Sequence, residues 1–498
     1  MQNLFQFNEK YFKTALYAII LIEFFSLYAF IFPELNKLFF LAIILITLIL
    51  SCKKLEYGIY IILSELIIAS KGYLFYWEIN EKSISIRVGL FSIVFAVWLI
   101  KLALDSKKTN KIKIKILESK LSLYFLSLFA FFIIGIILAI AHRNSFSNIF
   151  FDFNGWLYFL LIFPFFQSIK KENFDKLFSV ILGAVSAMIL KTTIIFIIFS
   201  NHIISVMPEI YRWIRITGVG EITDMGNSFF RIFFQSHIYA ILGFFIILPL
   251  LNKKFVQKKE KIKNNIPILF FAISFAMIIL ISFSRSFWIG ILFGILLYYV
   301  ILFFIFKEKI KFIFVNALLI LVIFVSAGFL TTSLTKISFL QKNKTDANFF
   351  TAISERTTKI SGEAAVGSRW NLLPPLFNKI KKNPVLGSGF GTTITYETKD
   401  PRALENNSNG LYTTYAFEWG YFDIWLKIGI AGLSIYFLLI RKILKTGWQN
   451  KNNEIIFGSL LAFASLLAIH FFTPYLNHPL GIGYILIASI IYEKINES

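Results

Sequence analysis

Runs of about 20 apolar residues recur from one end of this chain to the other, and that repetition constrains the fold more than any motif does. About 20 residues are what a helix needs to cross a hydrocarbon core. The runs are apolar on every face, whereas a helix of a water-soluble domain keeps a polar side. Lipid cannot hydrogen-bond a bare backbone, so only helices or closed barrels span it, and these runs are too long for barrel strands. An all-α polytopic membrane protein follows. Fourteen transmembrane helices are predicted, at 12–32, 37–51, 58–76, 85–104, 121–141, 155–169, 177–200, 231–251, 266–284, 287–306, 312–330, 423–440, 455–472 and 479–492. Segments 37–51 and 155–169 are short, hence tilted or partly buried. The first run is too long for a signal peptide and lacks the small-residue cleavage site, so it counts as a span of the mature chain. The expected organisation is helices 1–11 in residues 1–330, one long extracytoplasmic loop with amphipathic helices in 331–422, and helices 12–14 in 423–498.

The formal charge of +22 invites a nucleic-acid partner, but its placement argues for topology instead. With the N-terminus inside, the inner segments 1–13, 52–57, 101–120, 170–176, 252–265, 307–311, 441–454 and 493–498 hold 27 Lys and 1 Arg. That is the positive-inside bias, and it sets both termini in the cytoplasm. The one cysteine, Cys52, excludes an intramolecular disulfide and reads as a packing residue near the inner boundary.

The arginines run the other way. Only Arg441 falls in an inner loop. Arg87, Arg143, Arg212, Arg215, Arg231, Arg285, Arg356, Arg369 and Arg402 fall on or near the outer side, where orientation disfavours positive charge. A guanidinium differs from an ammonium in its planar fork, which grips carboxylate or phosphate through two parallel hydrogen bonds. An outward-facing site for a phosphorylated, membrane-borne ligand is one reading, and snorkelling to lipid phosphates is the other, evenly balanced for Arg87, Arg143 and Arg402. Arg285, in "ISFSRSFW", sits where one span ends and the next begins at once. Burying it unpaired costs about 2.5–3.5 kcal/mol. Asp152, Glu418 or an anionic substrate would offset that, and the company of other outer arginines favours the substrate.

Within the outer loop, "SRWNLLPPLFNKIKK" places Trp370, Leu373, Leu376, Phe377 and Ile380 at helical spacing. It reads as an interfacial helix with its apolar face in lipid or on the bundle, kinked or split at Pro374 and Pro375. "NPVLGSGFGTT" follows. Its alternating glycines follow a helix on the wrong side of the membrane for nucleotides, which leaves a tight turn or a backbone nest for an anion. In "TTYAFEWGYFDIWLKIGIAGL", Glu418 stands at the outer mouth of a span. Burial by Phe417, Trp419 and Tyr421 would raise its pKa towards a range useful for deprotonating a hydroxyl, with Asp423 as a second candidate.

"SFSRS", "GSRW", "NPVLGSGFG" and "EWGYFDIWLKIGIAGL", in this order and on one side, resemble the O-antigen ligase and O-antigen polymerase superfamily of membrane glycosyltransferases over residues 280–440. The family often has His where this chain has Glu418. The resemblance implies transfer of a glycan from undecaprenyl diphosphate to a sugar hydroxyl on the outer face of a bacterial cytoplasmic membrane. Polymerase is the leading form, O-antigen ligase acting on lipid A-core the alternative. The implied partners are the lipid-linked donor, a glycan acceptor, membrane lipid and other polysaccharide-assembly proteins.

On that footing Glu418 is the catalytic base, and Arg285 and Arg369 hold the diphosphate, supported by Arg231 and Arg215. His478 and His237 are alternative bases. Lys71 and Lys191 are lesser candidates, because Glu65, Lys71 and Lys191 read first as interior ion pairs. No Asp-x-Asp and no outer His/Asp/Glu cluster occurs, so neither metal nor other cofactor is expected. A flippase is the competing class, but no second copy of the 285–433 region occurs in residues 1–240, as a two-halved transporter would show. A scaffold or sensor lacks any soluble signalling domain to support it.

Overall fold

The computed structural model describes residues 6–79, 82–226, 229–337, 364–398 and 409–496. Arg356 and Arg402 lie outside the described residues. Each predicted span falls mainly on helix. In chain order these are α1 (Glu9–Ile31), α2 (Glu34–Lys53), α3 (Leu55–Ala69), α4 (Ile86–Thr109), α5 (Ser122–Ala141), α6 (Phe146–Phe153) with α7 (Ile162–Ser168), α8 (Phe174–Ser200), α9 (Met207–Ile216), α10 (Ile238–Leu251), α11 (Ile266–Ser282), α12 (Arg285–Phe304) and α13 (Ile310–Leu334). Then follow α14 (Ala364–Lys382), α15 (Gly420–Trp448), α16 (Glu454–Phe472) and α17 (Pro479–Asn496). Among the described residues, ten helices are long and apolar enough to cross a membrane, or eleven if the pair bent by 43° around residue 155 is one span.

The remainder differ for physical reasons. The 15-residue α3 and the 18-residue α17 are buried along nearly their whole lengths, so protein rather than lipid surrounds them. The 17-residue α11 falls just short of a full crossing. The predicted span 58–76 ends early. Ser70 takes a left-handed φ of 50°, and the chain turns into a hairpin of β1 (Tyr76–Ile79) and β2 (Lys82–Ser85). Span 231–251 likewise begins as a strand, β4 (Phe230–Phe234), paired with β3 (Gly220–Asp224) in the register Thr223 to Arg231. A third hairpin joins β5 (Ile394–Glu397) to β6 (Leu411–Thr414).

Two interior cations are paired with glutamates. Arg87 is buried and grips Glu65 with both arms of its fork, at 2.9 and 3.0 Å, while its third nitrogen donates to Ser70 O at 2.7 Å. Arg87 therefore neither snorkels to lipid nor faces an outer site, and Glu65 turns to Arg87 rather than to Lys71. Lys191 donates to both oxygens of Glu23 at 2.8 Å and lies 4.7 Å from the Trp213 ring.

α14 is one continuous helix through Pro374 and Pro375, neither split nor separated. Leu372, Leu376 and Ile380 pack on Phe417, Trp419 and Leu426, so its apolar face meets the bundle rather than lipid. α15 is opened at Gly429, whose φ of 71° and ψ of 175° leave the carbonyls of Leu426 and Lys427 without helical partners. The glycine-rich turn supplies them. Ser388 N donates to Leu426 O at 2.7 Å and Gly389 N to Lys427 O at 3.1 Å. In return Ile430 N and Ala431 N donate to Pro384 O and Val385 O. Gly387, Gly389 and Gly391 all have positive φ, and a Cβ on Gly389 would stand 2.3 Å from Ala139 N. Phe390 pins the turn, fully buried among Phe132, Phe153 and Trp156. Asn144, just past α5, donates to Phe390 O at 2.9 Å.

Candidate active site

Three features converge at one end of the bundle: the hinge before α12, the mouth of α15, and the loop 473–478 between α16 and α17. At the hinge, Phe283 adopts a left-handed φ of 45°, Ser284 is extended, and Arg285 opens α12, partly exposed. Strand β4 lies against this turn. Arg231 Nε donates to Ser282 O at 2.9 Å, and Phe229 and Phe233 meet Phe283 and Phe287 with ring centroids 5.1 and 5.7 Å apart. Arg231 and Arg285 thus flank one three-residue turn. Arg215, at the end of α9, is 3.2 Å from Glu221, and Arg231 is 3.7 Å from the other oxygen of the same carboxylate. Two guanidiniums against one carboxylate keep this corner positive.

At the mouth of α15, Arg369 and Glu418 form an ion pair directly. The Trp419 indole donates to Arg369 O at 3.0 Å and packs on Phe471 and Phe472, holding α14 to the end of α16. Phe417 and Trp419 are buried, but they turn away from their neighbour. The Glu418 side chain is 52% exposed, so the expected burial of this carboxylate does not occur.

The loop "TPYLNH" ties these parts together. Thr473 donates to Ser286 Oγ at 3.0 Å beside Arg285, Tyr475 donates to Gln235 O at 3.0 Å beyond β4, and Asn477 donates to Asp423. Arg285, Arg231, Glu418 and Arg369 are therefore linked by a short path of contacts around one end of α16.

Beneath the mouth lies a buried network. Lys427 bridges Asp152 and Asp423, its Nζ 2.7 Å from Asp423 Oδ1, and all three side chains are at least nine-tenths buried. The second Asp152 oxygen accepts from Gly391 N at 2.7 Å. The turn's N–H groups are thus spent on the opened helix and on Asp152, which answers the question of a nest: the anion it holds is the protein's own. Asp152 belongs to Lys427 and Glu418 to Arg369, so neither serves as the partner proposed for Arg285. Tyr415, in the loop above, is pushed up from its ordinary phenol range, first by partial burial and then by the Asp152 charge.

The other expected residues fall elsewhere. His237 is fully buried, with Nε2 2.9 Å from Thr192 Oγ1 and Nδ1 accepting from Phe234 N at 3.3 Å. Both ring nitrogens are occupied, so it is a structural residue. His478 is closer to the site but poorly suited as a base. Burial, then the nearby Arg87 and Lys71 charges, hold its imidazole down at about 3. A group that acidic takes a hydroxyl proton badly near neutrality. Lys71 packs beside Gly218 at the foot of the β3–β4 hairpin. Lys191, spent on Glu23, sits in the interior.

Residues 269–437 match the family model described as O-antigen ligase. This stretch, about a third of the chain, is similar to the O-antigen ligase family and supports the resemblance read from the motifs. The matched segment begins just after the start of α11 and closes inside α15, so it contains Arg285, Arg369, the glycine turn, Glu418, Asp423 and Lys427. Asp152, Arg231 and Asn477 reach the matched segment from outside it, whereas Arg215 contacts Glu221, which also lies outside. No curated protein and no solved structure matches the chain. Sequence reasoning missed Lys427 and Asn477. Asp423 and Lys427 stand four apart in an apolar helix, a spacing that places them on one face and was readable. Asp152 lies 275 residues from Lys427, and nothing local announces that partnership.

Proposed function

We propose that the protein is a membrane glycosyltransferase that moves glycan from undecaprenyl diphosphate to a sugar hydroxyl on the outer face of the cytoplasmic membrane, as a polymerase of polysaccharide repeat units. The observation that carries this reading is the meeting of Arg369 with Glu418 within contact reach of the Arg285 hinge, inside the segment similar to the O-antigen ligase family. An exposed ion pair is worth only about 0–1 kcal/mol. An incoming diphosphate, with more charge and two phosphoryl groups to grip, outcompetes a single carboxylate for Arg369. Donor binding thereby frees Glu418 at the moment a base is needed. The acceptor hydroxyl oxygen bonds to the anomeric carbon, its proton goes to Glu418, and the bond from that carbon to the phosphate oxygen breaks with its electron pair staying on the diphosphate. Arg285, Arg231 and Arg369 stabilise the charge that develops there. Arg215 holds Glu221 and so trims its competition for Arg231.

The Lys427 network positions rather than reacts: it is buried and ion-paired within itself, and it fixes the half-helix that follows Glu418. Transfer to a lipid A-core acceptor is the second reading, favoured by the description of the matched family. The test is the glycan profile of cells carrying Arg285→Lys, Arg369→Lys or Glu418→Gln. Single repeat units without extension support the polymerase. Full-length chains left unattached support the ligase. Donor trapped in the cytoplasmic leaflet overturns both in favour of a flippase.

A further inference from the structure

At the end of α15 opposite the candidate site, α12, α15 and α16 leave a groove of about 900 Å³ between them. Its walls are apolar, with Leu297, Phe437 and Leu460 among them, and two cations, Arg441 and Lys445, close one end. They stand four apart on one face of α15, are exposed, and make no ion pair or hydrogen bond among the described residues. Glu454, at the start of α16, is already engaged by Lys253. Trp448 lines the same end, with Lys451 5.6 Å from its ring. The unbroken α16 runs 19 residues from Phe472 at the mouth to Glu454, about 28 Å, close to the thickness of a hydrocarbon core, and Phe457 near its far end lines the groove together with Arg441 and Lys445. Arg441 and Lys445 therefore stand at the membrane boundary across from the mouth, with an indole at the same level as an interfacial anchor. A lipid-facing trough that is apolar along its length and cationic at its boundary end has the charge plan of one ligand: hydrocarbon chains joined to an anionic phosphate.

We infer that this groove binds an anionic glycerophospholipid of the cytoplasmic leaflet, its phosphate held by Arg441 and Lys445 and its acyl chains laid between α12, α15 and α16. The planar fork of Arg441 suits phosphate, which accounts for the single arginine among the lysines of the inner segments. The site is separate from the proposed donor site, and its test does not depend on transferase activity.

The full-length protein is purified in mild detergent, delipidated, and titrated with phosphatidylglycerol, cardiolipin or phosphatidylcholine while its unfolding temperature is recorded. Both anionic lipids raise that temperature by several degrees more than phosphatidylcholine does, and Arg441→Gln/Lys445→Gln abolishes the difference. The control variant Lys107→Gln/Lys108→Gln, on exposed lysines at the end of α4, keeps it. A photo-crosslinker at Ser434 in the groove wall labels lipid in intact cells. The inference is overturned if zwitterionic and anionic lipids act alike, if the double variant responds as the wild type does, or if the crosslinker captures a protein in place of lipid.

Discussion

Glu418 and Arg369 hold one another at the open mouth, so the two substitutions have different signatures. On the proposed mechanism, Glu418→Gln removes the proton acceptor but leaves Arg369 free for the donor. Chain extension in membranes is expected to fall by about 10²–10⁴-fold with donor binding unimpaired. Arg369→Lys keeps the charge but loses the fork, and donor affinity weakens along with rate. His478 provides a contrast. Its folded pKa, about 3, lies below the ordinary 6.5, so the unfolded chain takes up a proton that the folded chain refuses. Stability is complete above 6.5 and is lost as pH falls from there towards 3. His478→Asn is expected to flatten this decline in thermal unfolding scans between pH 7 and 4, while leaving the pH dependence of glycan transfer near neutrality unchanged. The sequence singles out Arg285, Arg369 and Glu418 as candidates because their flanking motifs are local. It does not show the pairing of Arg87 or Asp152, whose partners Glu65 and Lys427 are brought to them only by helix packing.

Among the elements, α15 depends most on its neighbours. Gly429→Ala sets a β-carbon on a backbone with φ of 71° and within 2.0 Å of Val385 O. A left-handed non-glycine residue alone costs about 1–2 kcal/mol, and the clash adds to it. A drop in unfolding temperature of several degrees is expected, with Gly387→Ala behaving alike because its β-carbon would stand 2.6 Å from Gly429 N across the same seam. Lys427→Met is harsher. It strands two carboxylates in the interior, a change worth about 3–5 kcal/mol. Adding Asp152→Asn and Asp423→Asn to Lys427→Met is expected to recover most of that loss, read as yield of folded protein in detergent. Apolar periodicity announced α15 as a span but not its opening. The glycine turn announced itself as a turn, and only the structure shows that its N–H groups complete the helix. The hairpins at 76–85 and 220–234 were hidden for a related reason: aromatic and β-branched residues serve equally in a strand and in a lipid-facing helix.

For the whole molecule, the uneven distribution of lysine and arginine makes a topological forecast. Cys52 is exposed and lies at the end of α2, beside Lys53 and Lys54. A membrane-impermeant maleimide is expected to reach it only after the cells are opened. Lys381→Cys in a Cys52→Ser background, at the exposed end of α14, is expected to react in intact spheroplasts. Labelling in the opposite sense would move the mouth of α15 to the cytoplasm, where a flipped lipid-linked donor is absent.

The opened span also imposes an order of assembly. Residues 384–391 leave the ribosome before residues 420–448, so the plug is made ahead of the helix it must complete. The stranded carbonyls of α15 meet their donors on arrival and need not wait in oil. A rearranged chain that delivered α15 first would oblige the insertion machinery to shelter a broken helix, and such a permutant should stall there and be degraded.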